Sequence, residues 1–440
     1  MGTILADHGF AAKGNLLPAK DDRLFADTGF DLDAMLKQYG PYFIACAERD
    51  LNTPYPILDA SLYMQYARIG NRANFEGPYF KRRVMTCNFA LAELAERKGR
   101  FTDRVIDGVW HILEESTWIL PAHNATNKNN PGTPLPDAFF TAEPGDDVKH
   151  IDLFSAGTAG RIAFLWYILG DILDPQTPVI RRRMLSQLRQ RILHPFYTYD
   201  HDWWMGTKGN TLNNWAPWIV SNILTVIALC EDDDEKREFG VQKCMTIMDR
   251  FTRTYPSDGG CDEGPGYWGA AGASYFDCLE ELYDLSGGKI DVFGDPLVNK
   301  ICEYIMNFSI TKDTYINFAD AGAHVHPNFR LIHRMGRRLH NDRLMAFAAS
   351  IAGNPDSIGI GGDQMYRNFR DMQEPYPQPC TFIPKEKIWY DGLQVAITRD
   401  PASGMFLALK GGNNGESHNH NDVGQFILFD HAEPVILDAG

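Results

Sequence analysis

Ser417-His418-Asn419-His420-Asn421-Asp422 sets two imidazoles two positions apart, between a Gly/Asn-rich turn and an apolar run. In an extended segment, residues two apart share a face, so His418 and His420 are predicted to point the same way. Asp438 closes the next apolar run, in Val-Ile-Leu-Asp-Ala-Gly. Two His, or one His and one Asp, on neighbouring strands make half of a zinc site, and a third ligand is needed to complete it. His324 and His326 repeat the spacing close to Asn317-Phe318-Ala319-Asp320. That second pair is read as structural, with metal binding as the alternative.

Asn213-Asn214-Trp215-Ala216-Pro217-Trp218 opens an apolar helix, and Asn214 suits its N-cap. Just upstream, His201-Asp202-Trp203-Trp204 adds a titratable pair and two large rings. Aromatic rings beside amides are the mixture that stacks and hydrogen-bonds a sugar. Residues 258–268, Asp-Gly-Gly-Cys-Asp-Glu-Gly-Pro-Gly-Tyr-Trp, form a tight loop ending at Tyr267, where a new helix starts. Its glycines permit close backbone approach to a ligand. Asp262 and Glu263 there are either acids of a glycosidase or favourable charges at a helix N-terminus.

These residues need a scaffold, and the chain reads as helix after helix from about 33 to 375. Segment 83–98 places Val84, Cys87, Leu91, Leu94 and Ala95 on one stripe, and 102–118 repeats the pattern. Segments 162–173 and 218–230 are apolar nearly all round, which marks helices buried on most sides. Further helical patterns cover 178–194, 234–254, 268–286, 290–309, 329–352 and 362–373. Amphipathic helices alternating with fully apolar ones predict two concentric layers, an α/α toroid, complete or partial, over residues 1–376. The long polar loops 119–150, which holds His123, and 196–217 are read as functional.

After Pro377-Gln378-Pro379 the texture changes to short runs rich in Val, Ile, Leu and Phe at 393–399, 405–410, 425–430 and 434–437. These predict antiparallel strands, the start of a β-sandwich over 377–440 whose sheet has an unfinished edge at Gly440. The fold class is therefore mainly α with a β domain.

The 440 residues carry a net charge of −15, which argues against a nucleic-acid binder working through a basic surface. The tracts Lys81-Arg82-Arg83 and Arg181-Arg182-Arg183 are read as solvated helix faces. Eight cysteines without a CxxC read as free thiols, Cys87, Cys244 and Cys278 within helical patterns. No signal peptide is visible at the N-terminus, which with the free thiols favours a cytoplasmic protein; a periplasmic or secreted one would follow if a leader had been removed. The most apolar stretch, 218–230, is too short to span a bilayer.

Taken together, AsnAsnTrpAlaProTrp, AspGluGlyProGlyTyrTrp, AsnPheAlaAsp and HisAsnHisAsnAspValGlyGlnPheIleLeu…ProValIleLeuAspAlaGly resemble the heparinase II/III-like family over about residues 110–440. That family joins an α/α toroid to an antiparallel β-sandwich and cleaves glycosaminoglycans, alginate and related uronates by β-elimination. The resemblance implies that Asn213 holds the uronate carboxylate, Tyr267 is the general acid/base and His418 assists. It makes His420 and Asp438 ligands to Zn²⁺, with Mn²⁺ or Ca²⁺ as substitutes. Asn214, Trp215, His123, Trp204 and Glu263 are the substrate-binding candidates.

The implied partner is an acidic polysaccharide such as heparan sulfate, hyaluronan, chondroitin or alginate, with no nucleic acid and no membrane; a homo-oligomer is left open. Two departures stand out. Trp215 occupies a place where several relatives carry a His, and the third metal ligand is not found before Gly440. Two rival readings are a glycoside hydrolase on a toroid, pairing Asp262 or Glu263 with Asp202 or Asp320, and a non-catalytic glycan-binding protein.

Overall fold

The computed structural model describes residues 3–10, 14–20, 31–124, 150–200, 202–355, 363–416, 418, 420 and 423–438. His201, Ser417, Asn419, Asn421, Asp422 and most of loop 119–150 lie outside the described residues.

The helical part is built on α1 (Leu32–Asp50), α2 (Ala73–Glu96), α3 (Thr102–Leu113), α4 (Leu153–Ile168), α5 (Pro178–Leu188), α6 (Trp215–Cys230), α7 (Asp234–Thr254), α8 (Gly272–Leu285), α9 (Pro296–Asn307), α10 (Phe329–Arg338), α11 (Asp342–Ile351) and α12 (Met365–Gln373). Every residue of α6 except Trp215 and Trp218 is buried, as its all-round apolar sequence requires. It packs on α4, α7 and α8, and α12 closes against both α4 and α6. Asp152 starts α4 with a capping box, its carboxylate accepting from Ser155 N while the Ser155 hydroxyl takes the Asp152 amide. The region predicted as one helix over 329–352 is two, α10 and α11. His340 turns the chain at φ +51°, and Asn341 then caps α11 through Arg343 N and Leu344 N.

The tract Lys81-Arg82-Arg83 is not a solvated face. Arg82 and Arg83 are buried and share the buried carboxylate of Glu115, at 2.9 and 2.7 Å. Arg83 also donates to Thr158 Oγ1 at 2.8 Å. Burying two guanidinium groups is tolerated because the carboxylate between them offsets the desolvation cost. Arg181 and Arg183 do lie near the surface, paired with Asp174 and Glu114. Seven of the eight cysteines are buried and all are free; Cys380 is exposed. No described helix is long and apolar enough to cross a membrane.

Five strands follow, β1 (Lys387–Tyr390), β2 (Val395–Asp400), β3 (Met405–Lys410), β4 (Phe426–Asp430) and β5 (Glu433–Ile436). They form one antiparallel sheet in chain order. β1 was not predicted; its four residues follow Pro384 and two charged positions. One face, carrying Tyr390, Val395, Ile397, Phe406, Ala408, Ile427 and Phe429, joins the same core as the helices. Tyr390 packs edge-on to Tyr304 and Phe308 and accepts from Asn307 Nδ2 at 2.9 Å. The β1–β2 turn is tied down by Gly392 N donating to Asp258 Oδ2 at 2.7 Å, and Gly411 N donates to Gln394 O at 2.7 Å. These bonds bring the β3–β4 loop to the helical loop 258–268.

Candidate active site

The loop before Tyr267 is shaped by its own polar groups. Asp258 Oδ1 accepts from Gly260 N and Asp262 Oδ1 from Glu263 N. Gly264 sits at φ +86°, where a Cβ would lie 2.6 Å from the Phe318 carbonyl oxygen. Only glycine fits there, and its absence of side chain lets the loop press against segment 317–321. The one-turn helix Pro265–Trp268 follows, anchored by Trp268 Nε1 donating to Ile301 O at 2.8 Å. Tyr267 is 42% exposed on it.

Segment 317–321 and the β3–β4 loop complete the cluster. Asp320 faces both histidines of the HxH pair, with His418 Nδ1 at 2.6 Å from Oδ2 and His420 Nε2 at 2.8 Å from Oδ1. Burial raises the Asp320 carboxyl, but the hydrogen bonds from His420 and His418 outweigh it and hold it below its ordinary value. As an ionised acceptor, Asp320 fixes the proton of His418 on Nδ1, leaving Nε2 as the ring's second, reactive nitrogen. That Nε2 lies 3.7 Å from Glu263 Oε1. His418 and Ala319 both occupy the left-handed region, at φ +53° and +60°, a conformation that non-glycine residues hold only where surrounding contacts enforce it.

Glu263 is 2% exposed. Burial pushes its carboxyl up, His418 opposes this, and the adjacent Asp262 adds to it, giving a value of about 7. Its Oε2 accepts from Asn214 Nδ2 at 2.7 Å, while Oε1 is buried without a hydrogen-bond partner among the described residues.

The tandem asparagines divide their work differently from the sequence expectation. Asn213 Oδ1 accepts from Trp215 N at 3.1 Å and so supplies the turn into α6. Asn214 occupies the N-cap position but makes no side-chain cap bond; it is buried and turned towards Glu263. Asn214, rather than Asn213, is therefore the amide that joins Glu263 and His418.

Trp204 is a correction. It is 1% exposed, and its indole N–H donates to Ile151 O at 2.8 Å, so it is a core residue. Its neighbour Trp203 presents the accessible ring, 41% exposed and 5.2 Å from Trp215. Trp215 in turn contacts His123, ring centroids 4.6 Å apart, and His123 Nδ1 is held by Asp152 Oδ2 at 2.6 Å. Trp203, Trp215 and His123 thus form an aromatic ledge beginning one residue from Asn214. His326 is exposed and pairs with Asp313, and His324 sits in a short bridge with Thr314.

His420 and Asp438 are the expected metal ligands. His420 Nε2 is engaged by Asp320, and the Asp438 backbone carbonyl accepts from Asn317 Nδ2 at 3.3 Å. Among the described residues no three His, Cys, Asp or Glu side chains are grouped to hold a metal ion. The described donors do not make up a zinc site by themselves.

A solved heparinase III superposes with a TM-score of 0.56 at 14% identity, over 96% of this chain and 67% of that one. The fold is heparinase III-like. A second heparinase III structure matches with a TM-score of 0.51 at 12% identity, over 96% of this chain and 66% of that one. A heparan sulfate lyase mutant from Pedobacter heparinus gives a TM-score of 0.49 at 14% identity, over 88% of this chain and 51% of that one. The chain thus spans between about half and two thirds of these structures' lengths. No sequence-family profile and no curated protein sequence matches it. The heparinase-like architecture joins an α/α toroid to a β domain, as the helix and strand patterns predict.

Proposed function

We propose that this protein is a polysaccharide lyase that cleaves a uronate-containing chain by β-elimination. The observation that carries the reading is the convergence of Asn214, Glu263, His418 and Asp320 from four separate segments, with the exposed Tyr267 four positions after Glu263. The heparinase III-like fold supports it.

The reaction removes the proton on C5, next to the uronate carboxylate, and expels the oxygen on C4. Negative charge builds on the carboxylate as the proton leaves. The second amide N–H of Asn214, which has no acceptor among the described residues, stabilises that charge as an oxyanion-hole donor does. Tyr267 acts as base and then acid. A tyrosine hydroxyl ordinarily ionises at about 10, so it needs a proton acceptor, and His418 Nε2 is the group proposed for it. The Tyr267 oxygen takes the C5 proton, the C4–O4 bond breaks as the C4=C5 bond forms, and the same phenol proton passes to O4. The Trp203–Trp215 ledge stacks a neighbouring sugar ring.

One observation favours a second reading. Glu263 is raised and Asp320 lowered, and environments that push two carboxyls apart are the mark of an acid–base pair in hydrolysis. Against it, Glu263 is almost fully buried, with one carboxyl oxygen taken by the Asn214 amide. Cleavage in water enriched in heavy oxygen separates the two: hydrolysis places the label in the product, whereas elimination leaves it out.

A further inference from the structure

Asn214 can present a donor to a substrate only if its amide is held in one orientation, and the group holding it is a carboxyl. That carboxyl is unusual in its company. The groups facing Glu263 are His418 from the β3–β4 loop, Asp262 from its own loop, Asp320 from segment 317–321 and Asn214 from the start of α6. Among the described residues no Lys or Arg pairs with it. One oxygen takes the Asn214 amide and the other is buried without a hydrogen-bond partner. The one basic group within reach is the His418 imidazole, with Nε2 at 3.7 Å from Oε1; beside that ring in its neutral form, a buried carboxylate with one donor and no paired Lys or Arg is costly, whereas a neutral carboxylic acid is not.

The bound substrate sharpens this. A uronate carboxylate accepting from the second Asn214 N–H would lie roughly 5 Å from Glu263, one further hydrogen-bond length beyond the 2.7 Å contact. Two carboxylates that close, in a site with little water, repel strongly.

We propose that Glu263 is a positioning residue that works as a neutral acid: its protonated carboxyl orients the Asn214 amide and keeps a second negative charge out of the substrate carboxylate's site. The inference rests on the lyase reading for its substrate, but the state of Glu263 can be read without one. It also distinguishes Glu263 from an acid that donates its proton to the bond being cleaved, because the proton stays in place through the reaction.

Two measurements test it. Carbon-13 labelling of glutamate side-chain carboxyls, followed by NMR through a pH titration of the whole chain, should show one resonance with a midpoint near 7 that is missing in Glu263→Gln. In turnover, only the protonated fraction binds, so KM of the unsubstituted protein should rise about eightfold between about pH 6.5 and 8 while kcat changes less than about twofold. Glu263→Gln, neutral at every pH and of the same shape, should stay active with a KM that is flat across that range. A Glu263 resonance titrating in the ordinary carboxylate range overturns the proposal, as does a Glu263→Gln protein that keeps the KM rise. If no uronate polymer is turned over, the lyase reading fails and the resonance alone still decides the protonation of Glu263.

Discussion

The amide of Asn214 donates to the carboxyl of Glu263 at 2.7 Å, across 49 positions of sequence. Of the two adjacent asparagines, this bond sets Asn214 against Glu263, while Asn213 bonds the Trp215 amide. The bond to Glu263 also ties the start of the most buried helix to the loop carrying Tyr267. Through Glu263 the connection continues to His418 and Asp320, so helix, loop and sheet are joined by polar side chains at one point.

Tyr267→Phe removes only an oxygen from a ring that is 42% exposed. The account predicts a fall in turnover of about a hundred- to ten-thousand-fold. Stability should change by no more than about 0.5 kcal/mol. Steady-state rates and a thermal melt of the same preparation check both.

Asn213→Ala and Asn214→Ala should part company. Losing Asn214 removes the donor to the developing charge and is predicted to lower kcat about a hundred- to thousand-fold. Losing Asn213 removes the bond to Trp215 N and should cost about 1 kcal/mol of stability, with kcat nearly intact. Equal kinetic losses from both would reject the division of roles.

Much of this architecture can be read directly from residue pattern. The all-round apolar character of 218–230 predicts a buried helix, and α6 is one; the short runs rich in Val, Ile, Leu and Phe after residue 393 predict strands that form. What is not legible depends on partners distant in sequence. Arg82 and Arg83 read as a surface tract because Glu115, which accommodates them, lies 33 and 32 positions away. Asp320 sits in a modest Asn-Phe-Ala-Asp run, and nothing local signals that it meets His418 across 98 positions. Trp203 and Trp204 are identical in type, and only a short 3-10 turn decides which faces inward.

That turn gives a third prediction. Trp203→Ala should raise KM for an oligosaccharide while leaving kcat nearly unchanged, since the ring only stacks a sugar. Trp204→Ala should instead destabilise the fold by about 3–5 kcal/mol. A denaturant titration beside a substrate-saturation curve separates them; a KM effect confined to Trp204→Ala would contradict the ledge.

Glu263 also predicts a pH-dependent stability. Its carboxyl ionises at about 7 in the fold, against an ordinary value of 4.5. The folded state therefore holds the proton more tightly, and stability is lost as pH rises between those values. Glu263→Gln should match the unsubstituted protein near pH 4.5 and exceed it at pH 8, by at most about 3 kcal/mol. Chemical denaturation at the two pH values measures the difference, and a stabilisation equal at both would remove the buried ionisation from the account.

The most direct test of β-elimination is the ultraviolet absorbance of the unsaturated uronate product. The protein is offered heparan sulfate, hyaluronan, chondroitin sulfate and alginate separately. The account predicts rising absorbance on at least one of them, abolished in Tyr267→Phe. Chain cleavage without that rise, or an equal rise in Tyr267→Phe, would contradict it.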